Sequence, residues 1–234
     1  LASLKPTLAS DLRSWTALKM GSVVVSGDVN LGLDGVSATI TVDALDLNLA
    51  SDPSVVAPAQ APRLDWTRAF DLNGDGVFTD LVDPGAELPT PVALAIDYPS
   101  SLQLRVRGTL TGNDSYTYDP EFRTEASDVD GDDVTITNVL LTLGDVRLAG
   151  SAQFALVQRS VTADVNGAAA GGQLDGELLS LALTVSGLGV HVEDVAHLTI
   201  SGQLALASLK PTLASDLRSW TALKMGSVVV SGDV

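Results

Sequence analysis

Residues 1–29 and residues 206–234 are the same 29 letters, LASLKPTLASDLRSWTALKMGSVVVSGDV, at an offset of 205 residues. Identity of that length does not arise by chance. Any fold for this chain must give one sequence a home in two places, or make the two ends equivalent sites of a repeating structure. The economical reading is a tandem array with a 205-residue unit. Residues 1–205 are then one complete β-rich unit, residues 206–234 begin the next, and the chain is an excerpt from something longer. In such arrays each unit packs on its neighbours and length is the product. The partners expected are neighbouring copies of the same repeat, and other chains if the array builds a fibre.

The second constraint is a period of two. Val23 and Val25 lead into Val29, Leu31 and Leu33, which alternate with Asp28, Asn30 and Gly32. Asp34-Gly35 supplies a turn, after which Ala38, Ile40 and Val42 and then Leu45, Leu47 and Leu49 alternate again. The pattern returns at 92–110, 134–166 and 178–206. It predicts half-buried antiparallel strands joined by short turns, aliphatic on one face, with Asp, Asn, Ser and Thr on a wet face. Residues 7–20 are open to two readings. Leu8, Leu12, Trp15 and Leu18 have helical spacing behind Pro6, yet the segment runs straight into GSVVVSG. Gly27, Gly108, Gly150 and Gly202 each interrupt an alternating run, which predicts a bulge, a bend or close packing there. Their spacing is irregular, so a strict short-period solenoid is disfavoured. The expected fold class is all-β: an antiparallel sheet repeat unit, either an elongated β-sandwich or a continuous β-rod, with an inserted calcium-binding loop.

Composition narrows the function. With 13 Lys and Arg against 29 Asp and Glu, the net charge of −16 argues against nucleic acid and against an anionic membrane surface as partners. A hydrophobic fraction of 45 % is enough for a real core, and aromatics at 4 % make that core aliphatic. There is no cysteine, hence no disulfide framework, and no run of 18 apolar residues to form a membrane span. Nothing reads as an enzyme. There is no G-x-S-x-G elbow, no glycine-rich phosphate loop between strand and helix, and too few aromatic residues for a glycosidase cleft. His191 and His197 would stand about 20 Å apart on one straight strand, too far to share a zinc ion. No catalytic residue and no organic cofactor is expected.

The strand pattern breaks at residues 51–91, where Pro53, Pro58, Pro62, Pro84, Pro89 and Pro91 deny ladder hydrogen bonds. Inside this insertion lies DLNGDGVFTDLVD, residues 71–83. Asp71, Asn73 and Asp75 occupy alternate positions, and Gly76 stands sixth, where a calcium loop turns sharply. The carbonyl of Val77 would supply the seventh position and Thr79 the ninth. Val82 occupies the twelfth, so Asp80 or Asp83 must provide the closing carboxylate. All the donors are hard oxygens, which selects Ca2+ over zinc, and their number selects it over magnesium. The rival reading is an Asx-rich turn whose side chains cap their own backbone. Trp66, Phe70 and Phe78 flank the loop and are expected to form a small satellite core. Asp128, Asp130 and Asp132, whose turn glycine is replaced by Asp133, read equally as a second metal site or as a solvated hairpin tip of high negative potential.

An oxygen-rich DLNGDGVFTD loop, long identical repeats, few aromatics, no cysteine and strong acidity together resemble the giant tandem-repeat surface and secreted proteins of bacteria, in the style of calcium-dependent adhesin extender regions. The resemblance is carried by Asp71, Asn73, Asp75 and Asp80 and departs from the loop pattern at Val82. It implies an extracellular or cell-surface spacer stiffened by calcium. The alternative is a binding or carrier module whose aliphatic sheet face, along Val29, Leu31 and Leu33 and their counterparts, takes lipid or another apolar partner.

Overall fold

The computed structural model describes residues 1–28, 37–55, 60–118, 134–143, 146–165, 172–192 and 196–233. The segments carrying Val29, Leu31, Leu33, Asp34-Gly35, the alanine-rich stretch 168–171 and the second metal candidates Asp128, Asp130 and Asp132 lie outside the described residues.

The chain is all-β. Its strands are β1 (Ala2–Leu4), β2 (Ser14–Asp28), β3 (Ser37–Ser51), β4 (Leu102–Gly112), β5 (Asp114–Tyr118), β6 (Val134–Leu143), β7 (Val146–Asp164), β8 (Gln173–Val192), β9 (Ala196–Pro211) and β10 (Trp220–Asp233). They form one antiparallel ten-stranded sheet in the order β1-β2-β3-β4-β7-β8-β9-β10, with β6 also on β7 and β5 on β6. Residues 14–20 are strand, so the period of two that comes after them wins over the helical spacing of Leu8 to Leu18. Pairing along the whole of β3 explains this. Trp15 through Met20 stand opposite Ala50 through Leu45, and that ladder satisfies backbone groups that a short isolated helix would hold only marginally.

Register sorts the side chains onto two faces. On one face a row crosses the sheet from Met20 through Leu45, Val106, Leu156, Leu181 and Leu206 to Leu223. On the other, the neighbouring row runs Lys19, Asp46, Arg105, Val157, Ser180, Ala207 and Ala222. Alternation predicts a wet second face. Over β2, β3 and β4 this is wrong. Asp46 is 1 % exposed and Asn48 fully buried, because the connection from β3 to β4 lies across them as a lid.

The lid supplies the core. Trp66, Ile96 and Tyr98 pack with Ala17 and Leu102, flanked by Trp15, Leu64, Phe70 and Val157. Burying one aromatic ring removes roughly 150–250 Å² from water, or about 4–6 kcal/mol at 25 cal/mol per Å². Polar groups lock the lid in place. Trp66 Nε1 donates to Asn48 Oδ1 at 3.0 Å, and Asn48 Nδ2 donates to the carbonyls of Leu64 at 3.0 Å and Pro99 at 3.3 Å. Trp66 N donates to Tyr98 O, and Val82 bridges Ile96, so the two limbs of the lid hold each other. At the lid's far edge Arg63 reaches Ser160 of β7 and Glu177 of β8.

Two of the interrupting glycines have visible reasons. Gly150 adopts φ 138° where the β7–β8 register shifts, a conformation that side chains resist. A Cβ at Gly108 would meet the Phe154 ring at 3.1 Å.

Asn48→Ala should lower unfolding free energy by about 2–4 kcal/mol, since it removes the partner of the buried Trp66 N–H and of the Leu64 carbonyl at once, while the Pro99 carbonyl keeps its bond from Leu102 N. Urea denaturation followed by tryptophan fluorescence measures it.

Candidate functional site

The loop expected to bind calcium springs from the lid's edge. Phe70 packs on Trp66, ring centroids 5.5 Å apart, and the Phe70 carbonyl accepts from Asp80 N at 3.1 Å, closing residues 71–79 into one loop. Phe78 is 58 % exposed, so only Trp66 and Phe70 of the expected aromatic trio join the core. The closure at Asp80 turns Phe78 outward with the loop.

Within the loop the side chains fold back on the backbone. Asp71 Oδ1 accepts from Gly74 N at 2.7 Å and Asp75 N at 3.1 Å, while its Oδ2 accepts from Gly76 N at 2.9 Å. Asp80 Oδ2 accepts from Leu72 N at 2.6 Å and Asn73 N at 3.1 Å. Asp75 Oδ1 accepts from Val77 N at 2.8 Å, and Asn73 Nδ2 donates to Asp75 Oδ2 at 3.1 Å. Gly74 and Gly76 take φ of 77° and 83°, so the expected sharp turn stands at the expected place. The structure thus brings Asp71, Asn73, Asp75 and Asp80 into one exposed hydrogen-bonded loop. Asp83 is not among them. Its Oδ1 accepts from Gly85 N at 3.0 Å and Leu94 N at 2.9 Å, capping the 3-10 turn Pro84–Glu87.

In this arrangement the loop is a set of Asx caps. Among the described residues no group of three or more His, Cys, Asp or Glu is placed to hold a metal ion. The caps do not exhaust the donors. A carboxylate has about four lone-pair sites, and Asp71 uses three on amides while Asp80 uses two on the amides of Leu72 and Asn73.

A second polar cluster went unread in the sequence. Asp46 receives Arg105 Nε at 2.5 Å and the Tyr98 hydroxyl at 2.9 Å, with the Leu18 carbonyl an equally near acceptor for that hydroxyl. Lys19, opposite Asp46 in register, donates to Ala95 O at 2.7 Å and Asp97 Oδ1 at 3.0 Å. Burial, then the Asp46 carboxylate, push the Tyr98 hydroxyl well above its ordinary range. The cluster neutralises a buried charge and ties β2, β3 and β4 to the lid. The signal was available: Asp46 and Asn48 sit inside the leucine run LDLNL, and Trp66 and Tyr98 needed a surface to bury against.

The histidines also need correction. His191 and His197 are direct cross-strand partners, because they stand on two antiparallel strands, β8 and β9; the expected 20 Å separation assumed one straight strand. His191 is buried against Tyr116, ring centroids 5.6 Å apart. The side chain of His197 lies outside the described ones.

A cleft of about 1080 Å³ lies between the lid edge and the ends of β7 and β8, lined by Arg63, Ser160, Asp175, Glu177, Asp216 and Arg218. Ser160 Oγ donates to Glu177 Oε1 at 2.7 Å, and Arg63 lies against both, an arrangement that fastens the lid.

No family model, curated protein or solved structure matches this chain.

Because the folded state holds the Tyr98 proton more tightly than the unfolded chain does, stability is fully present below the ordinary tyrosine value of 10.0 and declines as pH rises above it. Absorbance of the phenolate should therefore appear for Tyr98 only with alkaline unfolding, and Tyr98→Phe should flatten the stability loss above pH 10.

Proposed function

We propose that the chain is a structural segment of a long extracellular repeat protein, a spacer or fibre-forming unit stiffened by calcium, with no enzymatic role. The observation that supports it most is the behaviour of the repeated sequence. Ala2, Ser3 and Leu4 pair with Ala17, Thr16 and Trp15 at one end of the sheet, and Ala207, Ser208 and Leu209 pair with Ala222, Thr221 and Trp220 at the other. The connecting turns match as well. Asp11 and Asp216 each clamp the arginine two residues on, and Arg13 and Arg218 each lie over the nearby tryptophan, Trp15 and Trp220, at 5.4 and 5.3 Å. A hairpin that forms twice, in one register, at opposite ends of one sheet suits a unit made to be strung together.

In this reading Asp71, Asn73, Asp75, the Val77 carbonyl, Thr79 and Asp80 hold Ca2+, with Asp80 rather than Asp83 as the closing carboxylate. The ion would neutralise part of a charge of −16 and pin the lid's outer loop. The donor set is all oxygen, and Gly76 already has the φ that the sixth position requires. Calcium that binds only the folded state adds about 2.7 kcal/mol at a hundredfold excess over Kd. Scanning calorimetry should show the melting temperature rise by several degrees with calcium and fall back with chelator. Asp75→Ala should abolish most of that rise. A melting curve indifferent to both would remove calcium from the proposal.

A second reading, a carrier for lipid or another apolar partner, is favoured by the face opposite the lid. The row from Met20 to Leu223 crosses the sheet, with a parallel one through Val42, Phe154, Leu183, Leu204 and Met225. Its members on β3 to β9 are half-exposed, and Leu223 and Met225 on β10 are exposed. A carrier should take up a fluorescent fatty acid with a fixed stoichiometry, weakened tenfold or more by Leu181→Glu. A structural face should show no such saturation.

A further inference from the structure

The repeated hairpin is covered at one end of the sheet and bare at the other. Around β2, Ala17 is buried under Trp66, Ile96 and Tyr98; Trp15 Nε1 donates to Pro62 O at 3.1 Å; and Leu94 lies 3.9 Å from where a Gly21 side chain would begin. The equivalent residues of β10 are Ala222, Trp220 and Gly226. Ala222 is exposed, as are Leu223, Lys224 and Met225, and nothing lies within 4 Å of a Cβ at Gly226. Among the described residues, the same amino acids in the same hairpin therefore have a partner in one place and lack it in the other.

The edges differ in the same way. β2 is paired along its length by β3, whereas β10 ends the sheet. At the other end, three-residue β1 reaches only Trp15 to Ala17 of β2, while its counterpart β9 pairs with β10 from Trp220 to Asp233. Among the described residues, one end of the sheet is short of a full strand before β2, and the other is short of one beyond β10.

We infer that β10 is the docking site for residues 37–98 of a successive copy of this sequence, whose β3 strand pairs with the free edge and whose lid covers Trp220, Ala222 and Lys224, so that one sheet runs unbroken across the repeat boundary. The inference rests on reading the chain as a tandem repeat. Its geometry is that already formed by β2, β3 and the lid, shifted by the repeat. Lys224 would meet the next Ala95 carbonyl and Asp97, as Lys19 meets them here. The apolar groove of about 380 Å³ bordered by Val157, Ala182, Ala205, Ala207 and Ala222 would lie beside the incoming lid, where small side chains allow close approach. A head-to-tail contact of this kind builds a filament wherever its rotation does not close into a ring.

The test is a longer chain in which residues 30–234 are appended once more after Val234. The protein has no cysteine, so engineered pairs report cleanly. Thr16 stands opposite Leu49, so Thr221→Cys with Leu49→Cys of the appended copy should close a disulfide on mild oxidation. Leu45→Cys of that copy, about 13 Å further along the strand, should not. Met225→Leu marks the peptides of this copy by mass. Their amide exchange should be at least tenfold slower in the longer chain than in the 234-residue chain. Equal exchange in the two chains, or disulfide closure without regard to register, overturns the inference. If small-angle scattering of that longer chain shows length added per unit while exchange stays fast, the units are separate beads. The sheet continuity is then lost and the spacer role survives. Slow exchange in a chain that folds back compactly retains the continuity and removes the spacer.

Discussion

A single sheet of long strands has two faces and two edges, and water is a poor neighbour for much of what they carry. Everything distinctive in this structure is a response to that constraint. Over β2 to β4 the response is internal: the β3–β4 connection folds back as a lid, and Trp66, Ile96 and Tyr98 fill the space above Ala17. The lid is specified by polar matches as well as by area. Asn48 satisfies the Trp66 N–H and two lid carbonyls, and Asp46 is held between Arg105 and Tyr98. Buried groups of this kind cost stability when unpaired, so they discriminate strongly against a lid seated one register away.

Beyond β7 the lid core stops, and the rest of that row carries Ser180, Ala207 and Ala222. The small residues there and the bare edge of β10 are the same problem left open. The repeat points to its answer, because the first copy of those residues is covered and the second is not. Exposed edges template the addition of another strand, and a protein that repeats its own hairpin can direct that addition to the next strand in sequence.

The acidic loop at 71–80 belongs to a different layer of the design. It is closed by Asp80 on Phe70 and so is fixed to the core through Phe70 and Trp66. Its carboxylates organise the backbone first, through the amides of residues 72–77. A loop so ordered loses little further entropy on taking a cation. That would link ion binding to the seating of the lid.

Local pattern alone carried most of the long strands, the turn at Gly76, the two glycine-marked irregularities and the likeness of the two end hairpins, because side-chain alternation, positive φ and sequence identity are properties of neighbouring residues; it left residues 14–20 open, gave no sign of β5, and read as strand the residues 92–95, which belong to the lid. Tertiary structure alone decided which polar positions are wet. Asp46 and Asn48 look like the outward half of an amphipathic strand until a segment 16 or more residues away covers them. It decided that His191 faces His197 across a hairpin, that Phe78 points to solvent while Phe70 does not, and that Asp83 caps a 3-10 turn away from the acidic loop. Burial and pairing are set by what arrives from elsewhere in the chain, and no local pattern encodes the arrival.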